Sequence, residues 1–275
     1  MADPIPARAA GTFYERAASA RLRGSFAATW INRMDAANAP PIVVMPDATV
    51  DLQWIRGSFR IAGPDKEPQT EVLAPDEVVI GFRFHPAAAA AWLGVPLVEL
   101  VGQRLPLDDV WGARARRLAS RVRVDDNVDD LIYSIEEVVT EEITSGETDN
   151  VMRTAHWLIK RGPPPGAPLV PWLMRALEMS ERTLRRRFHE SFGYGPKTLD
   201  RILRYQRFLR LSNQSSSSTA VRASQAGYSD QAHLIRESRR LTGSTPRQLD
   251  RLLKGWWVRQ ISSDFNALKN VSTIA

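Results

Sequence analysis

The side chains with chemical capacity in this chain are chiefly cationic, and they are unevenly placed. Residues 151–275 hold 22 Lys+Arg against 8 Asp+Glu, a balance of +14, whereas residues 1–150 hold 15 against 23, a balance of −8. A segment this basic carries the electrostatic footprint of a polyanion partner, and the acidic first half argues against a membrane surface. Codon bias toward Arg (32 Arg, 5 Lys) explains part of the basicity but not the retreat of acids from the second half. Other chemistries find little material. With no cysteine there is no disulfide, thiol nucleophile or thiolate metal site. His85, His156, His189 and His233 stand far apart, never at metal-ligand spacing. The carboxylate pairs Asp108/Asp109, Glu136/Glu137 and Glu141/Glu142 read as solvated helix faces, and no phosphate loop or nucleophile elbow appears. The expectation is a protein that is not an enzyme and uses no cofactor and no metal.

Two kinds of element must position these groups. In the first half, Phe26 to Asn32, Ile42 to Met45, Thr49 to Ile55 and Val78 to Phe84 read as strands, with Arg56-Gly57 as a hairpin turn. Ala87 to Leu93 and Leu107 to Ala119 read as short helices, and Val128 to Ile143 as an amphipathic one. From Asn150 onward only helices are expected, punctuated by RGPPPGAP and by the serine run Ser212 to Ser218. At 275 residues the chain suits two domains: 1–148, β-rich with a helical tail; 149–260, all-α; and a tail, 261–275. The fold class expected is α+β.

The second half contains a duplication. PWLMRALEMSERTLRRRFHESFGYGP (171–196) and AVRASQAGYSDQAHLIRESRRLTGSTP (220–246) each give a short helix, a tight turn, a Ser N-cap, a longer basic helix, then Gly and Pro. Ser180 matches Ser229 at an offset of 49, and Leu184, Gly193 and Pro196 match Leu234, Gly243 and Pro246 at 50. Leu184 and Phe188 share the face toward the preceding helix; Arg182, Arg185, Arg186 and His189 point away from it. Lys197 to Leu211 forms a spacer helix of roughly 22 Å at 1.5 Å per residue. Such a spacer suits two helix-turn-helix units about one DNA turn, ~34 Å, apart.

On these motifs, above all GYSDQAHLIRESRRLTGSTP, residues 150–252 resemble the AraC/XylS-type transcription regulators. The first half is similar to the N-terminal domain of one branch of them through VIGFRFHPAAAAAWLGVPLVEL followed by LDDVWG. The resemblance implies a one-component, sequence-specific regulator of double-stranded DNA. Its first domain would sense a small-molecule effector or dimerise, and its partners would include RNA polymerase if it activates. A homodimer and a cytoplasmic location fit, with no membrane association. Carried over by position, the reading helices are Ser180 to Ser191, with Arg182, Arg185, Arg186 and His189, and Ser229 to Leu241, with Ser229, Gln231, His233 and Arg236. His233 is either a DNA contact or a capped or packed residue. Lys197, Arg201 and Arg204 are expected near phosphates or simply exposed.

Three departures from the family pattern carry expectations. Glu178 stands where the turn usually has Gly, Arg222 replaces an apolar residue, and Ser238 replaces the aromatic that Phe188 supplies in the first unit. The last two predict a loosely packed second unit that Phe at position 238 would stabilise. They also keep open a second reading: an interaction protein whose degenerate second unit acts through a protein partner. In the first half, Trp30, Trp54, Arg83 and Trp92 are the candidates to line a ligand pocket, with Asp51 as a polar partner.

Overall fold

The computed structural model describes residues 5–7, 10–34, 41–125, 127–143, 149–214 and 217–252. The tail, 261–275, lies outside them. The protein is α+β: a β-rich N-terminal part with a helical tail, then an all-α part with two helix-turn-helix units joined by a long helix.

Antiparallel pairing builds a six-stranded sheet in the order β2-β3-β8-β5-β6-β9, from β2 (Gly11–Ala17), β3 (Phe26–Met34), β5 (Asp51–Ile55), β6 (Ser58–Ala62), β8 (Val78–Phe84) and β9 (Arg104–Pro106). A small sheet of β1 (Ile5–Pro6), β4 (Ile42–Val44) and β7 (Gln69–Glu71) stands against it. Arg56 and Gly57, both at positive φ, make the two-residue turn that joins β5 to β6, as that dipeptide predicts.

Because successive side chains leave a strand on opposite sides, the large sheet has two unlike faces. Phe26, Ile31, Leu52, Trp54, Phe59, Ile61, Ile80 and Phe82 enter an apolar core. That core is closed by α1 (Ala89–Leu93), α3 (Ala113–Ser120) and α4 (Val128–Glu141). The alternate residues Trp30, Asn32, Asp51, Gln53, Arg60 and Arg83 face the small sheet. Gly81 permits this arrangement: a Cβ there would meet Trp30 Cε2 at 2.0 Å, so the indole lies across the strand where a side chain would stand.

The segment expected as one helix over Leu107 to Ala119 is two, α2 (Leu107–Trp111) and α3, broken at Gly112 with φ 56. The acidic N-terminus of α2 was legible; the break needed the left-handed glycine. Strands β1, β2, β7 and β9 were not read from the sequence at all, being short or lacking clean apolar alternation.

In the helical part, α5 (Asn150–Arg161) leads to α6 (Leu169–Ala176) and α7 (Glu181–Phe192), the first unit. Helix α8 (Pro196–Gln214) leads to α9 (Thr219–Ala226) and α10 (Gln231–Thr242), the second. Ser212 and its two successors extend α8 rather than opening a loop, and Ser218 caps α9 by accepting from the Val221 N–H. Glu178 does adopt positive φ (52°), as its place in a glycine turn requires.

The expectation of a loose second unit fails on one side chain. Ser238 is fully buried, and its hydroxyl lies 2.9 Å from Tyr205 Oη and donates to Ser244 O at 2.7 Å. The missing aromatic is supplied from α8, since the Tyr205 ring, fully buried, reaches the same layer. Arg222 is also accommodated: its guanidinium reaches Ser212 O, Thr219 Oγ1 and the Asp250 carboxylate. Phe at position 238 would therefore collide with Tyr205 and strand its hydroxyl. Ser238→Phe is expected to destabilise by about 1–3 kcal/mol in a denaturant melt, the usual range for overpacking. An unchanged or raised midpoint would mean the layer has spare room.

Candidate nucleic-acid interface and effector cavity

Helices α7 and α10 are built alike but capped differently. Ser180 opens α7, its Oγ accepting from the Thr183 N–H, as expected. In the second unit the cap is Asp230, whose Oδ1 accepts from the His233 N–H at 2.7 Å; Ser229, expected to cap, instead donates to Asp230 Oδ2. Asp230 is held below the ordinary carboxylate range by the His233 N–H and the Ser229 hydroxyl. The sequence carried Ser and Asp side by side, and the strand-like backbone of Asp230 decides between them. Both helices end on left-handed glycines, Gly193 and Gly243.

Leu184 and Phe188 are buried against the core, as their spacing required, while Arg182, Arg185, Arg186 and His189 lie on the exposed side of α7. Arg185 pairs with Glu181 at 2.6 Å and Arg186 with Glu190 at 2.8 Å, both one helical turn away and solvent-exposed. Pairs of this kind are worth little in water, so either guanidinium can leave its partner for a phosphate or a base. On α10, Gln231 and Arg236 are exposed; His233 is half-buried, its ring edge-on to Tyr228 at 5.2 Å. Ser229 Oγ lies 3.3 Å from its Nδ1. On the spacer, Lys197 is exposed, but Arg201 and Arg204 are not: they pair with Glu237 at 3.6 Å and Asp200 at 3.0 Å.

A cavity of about 130 Å³ lies between the two sheets. Trp30 and Arg83 line it, whereas Trp54 and Trp92 are on the other face of the large sheet, packed on Phe59 and on Phe26 and Trp111. Strand parity explains the division: Trp54 is one residue out of phase with Asp51 and Gln53. The polar wall was read only in part. Arg83 reaches Glu15 (2.6 Å) and Asp51 (3.2 Å), Arg60 reaches Gln53 and Glu71 (both 2.6 Å), and Arg104 reaches Asp65 and Glu71 (both 2.7 Å). Burial raises Asp51 and Asp65 above the usual carboxylate range despite these partners; at Glu71, which burial also opposes, Arg60 and Arg104 prevail and lower it. The missed signal is pairing between distant strands: Asp51 lies opposite Arg83, and Ala62, beside Arg60, opposite Arg104.

The last wall is helical. Gln206 and Leu209 of α8 face the cavity, and Gln206 Nε2 donates to Pro46 O at 2.8 Å. A wider cleft of about 400 Å³ continues between the two parts, lined by His85, His156, Lys160, Phe192 and Gln206. The end of α7 is seated there: a Cβ on Gly193 would meet Val101 Cγ2 at 2.6 Å and Pro64 Cγ at 2.9 Å.

Comparison with known proteins adds the following. Residues 173–251 match a family described as a helix-turn-helix domain, spanning both units and the joining helix. The C-terminal part is an AraC-type helix-turn-helix domain. This match supports a DNA-binding transcription regulator. Residues 14–106 match a domain of unknown function, DUF6597. No curated protein matches the chain. Solved structures similar to it include an apo lysine-to-alanine variant of ToxT from Vibrio cholerae strain SCE256 (13% identity, TM-score 0.47, 82% of this chain and 97% of that one). They also include ToxT from Vibrio cholerae O395 (14%, 0.41, 88% and 97%). A third is unsaturated fatty acid-bound wild-type ToxT of strain SCE256 (12%, 0.39, 88% and 93%). No helix of the described residues is long and apolar enough to cross a membrane.

The cleft makes a pH prediction. His156, packed on Phe192, is pushed down to about 4 from 6.5 by burial and then by the Lys160 charge. Glu15, Asp47, Arg83, His85 and Arg210 are the other charged or titratable groups around that cleft. With the folded value depressed, only the unfolded chain takes up this proton between pH 6.5 and 4, so the stability it contributes is complete above 6.5 and falls as pH drops toward 4. Chemical melts at pH 7.5 and 5.5 should show a smaller loss for His156→Gln than for the parent chain. Equal losses would contradict a neutral His156.

Proposed function

We propose that the protein is a one-component regulator in which α7 and α10 read DNA sequence and an effector in the inter-sheet cavity controls how they are presented. The observation that carries this reading is the double employment of α8. It joins the two units, and its Gln206 and Leu209 form a wall of the cavity. An occupant that presses on that wall acts on the element that sets the spacing of the reading helices. In this reading the sensing domain ends near residue 148, the DNA-binding domain covers 149–260, and 261–275 is an appended tail. A homodimer, contact with RNA polymerase in an activating role and a cytoplasmic location belong to the same proposal. Against the alternative, a protein-partner module with a degenerate second unit, stands the packing of that unit, whose core Tyr205 closes.

Within this reading, Arg182, Arg185, Arg186 and His189 of α7 and Ser229, Gln231, His233 and Arg236 of α10 meet DNA. Arg182 and Arg236 are the cations most available for it. Titration of the full-length chain on the DNA upstream of its own gene, across salt, tests the proposal. Specific binding should weaken steeply with salt, by about 0.9 in log K per log salt for each phosphate neutralised. Arg182→Ala or Arg236→Ala should either lower that slope by about 1 or relax base preference by about 1–3 kcal/mol. Binding that neither substitution alters would remove these helices from the interface.

A further inference from the structure

We propose that the inter-sheet cavity selects a small organic cation, an ammonium or guanidinium on an apolar body the size of one ring, with its charge held by Asp47 and Asp51 against the faces of Trp30 and Phe13. This rests on the reading of the cavity as the effector site. Four observations point to it.

The three arginines of the cavity are already engaged: Arg83 by Glu15 and Asp51, Arg60 by Gln53 and Glu71, Arg104 by Asp65 and Glu71. An anionic ligand would have to break one of these partly buried ion pairs, leaving a carboxylate uncompensated. The acids meanwhile exceed the arginines. Asp47, Asp51, Asp65 and Glu71 line the cavity with Arg60, Arg83 and Arg104; Asp47 Oδ1 accepts from the Thr49 N–H and hydroxyl, while its Oδ2 has Arg83 no nearer than 3.7 Å. By formal charge the surplus is negative.

An acceptor also stands without a donor. Asn32 is 7% exposed and lines the same cavity, and its Oδ1 has no hydrogen-bond partner among the described residues. A buried polar atom of this kind is costly unless something supplies the missing bond. Finally, Phe13 and Trp30 sit with centroids 5.8 Å apart on the cavity wall, a pair of π-faces of the kind that attracts a desolvated cation. The volume, about 130 Å³, is near that of cavities known to admit a benzene ring.

Benzylamine, benzyl alcohol and benzoate share one ring and differ in the charge of the head group, so they isolate the claim. Thermal melts of the full chain at pH 7.5 should show Tm rising with benzylamine by about 3–5 °C at ten times its Kd. Benzyl alcohol should do less and benzoate nothing. Asp51→Asn should abolish the advantage of benzylamine over benzyl alcohol while Arg83 keeps Glu15. If that variant does not fold, Phe13→Leu, which keeps an apolar wall without the ring, should reduce it. A benzoate shift equal to or above that of benzylamine overturns the proposal, and so does the absence of a shift with all three. The same samples assayed for DNA affinity separate the two claims. Benzylamine binding with no change in DNA affinity overturns the effector reading alone; benzoate binding that changes DNA affinity overturns the cation preference alone.

Discussion

The structure depends on the burial of one helix on every side. From Leu199 to Leu209 no residue of α8 is exposed, which is the pattern of an interior helix rather than of a solvent-bridging rod. Leu199, Ile202, Tyr205 and Phe208 fill the helical core, at about 1.5–3 kcal/mol for each large apolar side chain enclosed. The charged residues between them are matched rather than wetted. Arg204 takes Asp200 and lies over the Tyr228 ring, and Arg207 donates to the carbonyls of Ala226 and Lys160, where α9 and α5 run out of their own donors. A helix fixed this completely holds both units in one geometry, and any strain placed on it is shared between them.

That geometry is coupled to the first half because the N-terminal part packs on the same helix. Met45 and Ala48 pack on the helical core, Ala87 sits inside it, and Gln206 bonds the Pro46 carbonyl. The large sheet explains how one domain can both pack on that helix and enclose a cavity. Its strands alternate, so one face is apolar and closed by helices while the other gathers arginines, carboxylates and Trp30 around a cavity. The cavity is thus a consequence of parity: shifting any of β3, β5 or β8 by one residue would exchange the two faces.

Much of the helical part was legible in the sequence because its signals are local. The paired Gly-x-x-Pro closures, the basic faces and the Leu184/Phe188 spacing all lie within one helical unit. What escaped was compensation at a distance. Ser238 read as a hole because the side chain that fills it, Tyr205, is 33 residues away on another element. Arg201 and Arg204 read as surface cations because the helices covering α8 are not adjacent in the chain. In the N-terminal part the strongest strands were legible and the weak ones were not. The aromatic candidates divided by a parity that becomes meaningful only once strand pairing is known: Trp30 to the cavity, Trp54 to the core. The ion pairs of the cavity join residues brought together by sheet register, for which a single sequence gives no cue.

The central claim is that a rigid α8 presents two reading helices at one fixed separation. It is tested most directly by protection mapping of the full-length chain on its own upstream DNA, followed by inserting 5 base pairs between the two protected stretches. The account predicts protection in two successive major grooves, about 10 base pairs apart centre to centre. The insertion should reduce affinity to that of a single unit, because it turns one groove to the opposite face of the duplex. Undiminished affinity for the expanded site would contradict the account, since it would mean that the two units move independently and that α8 transmits nothing between them.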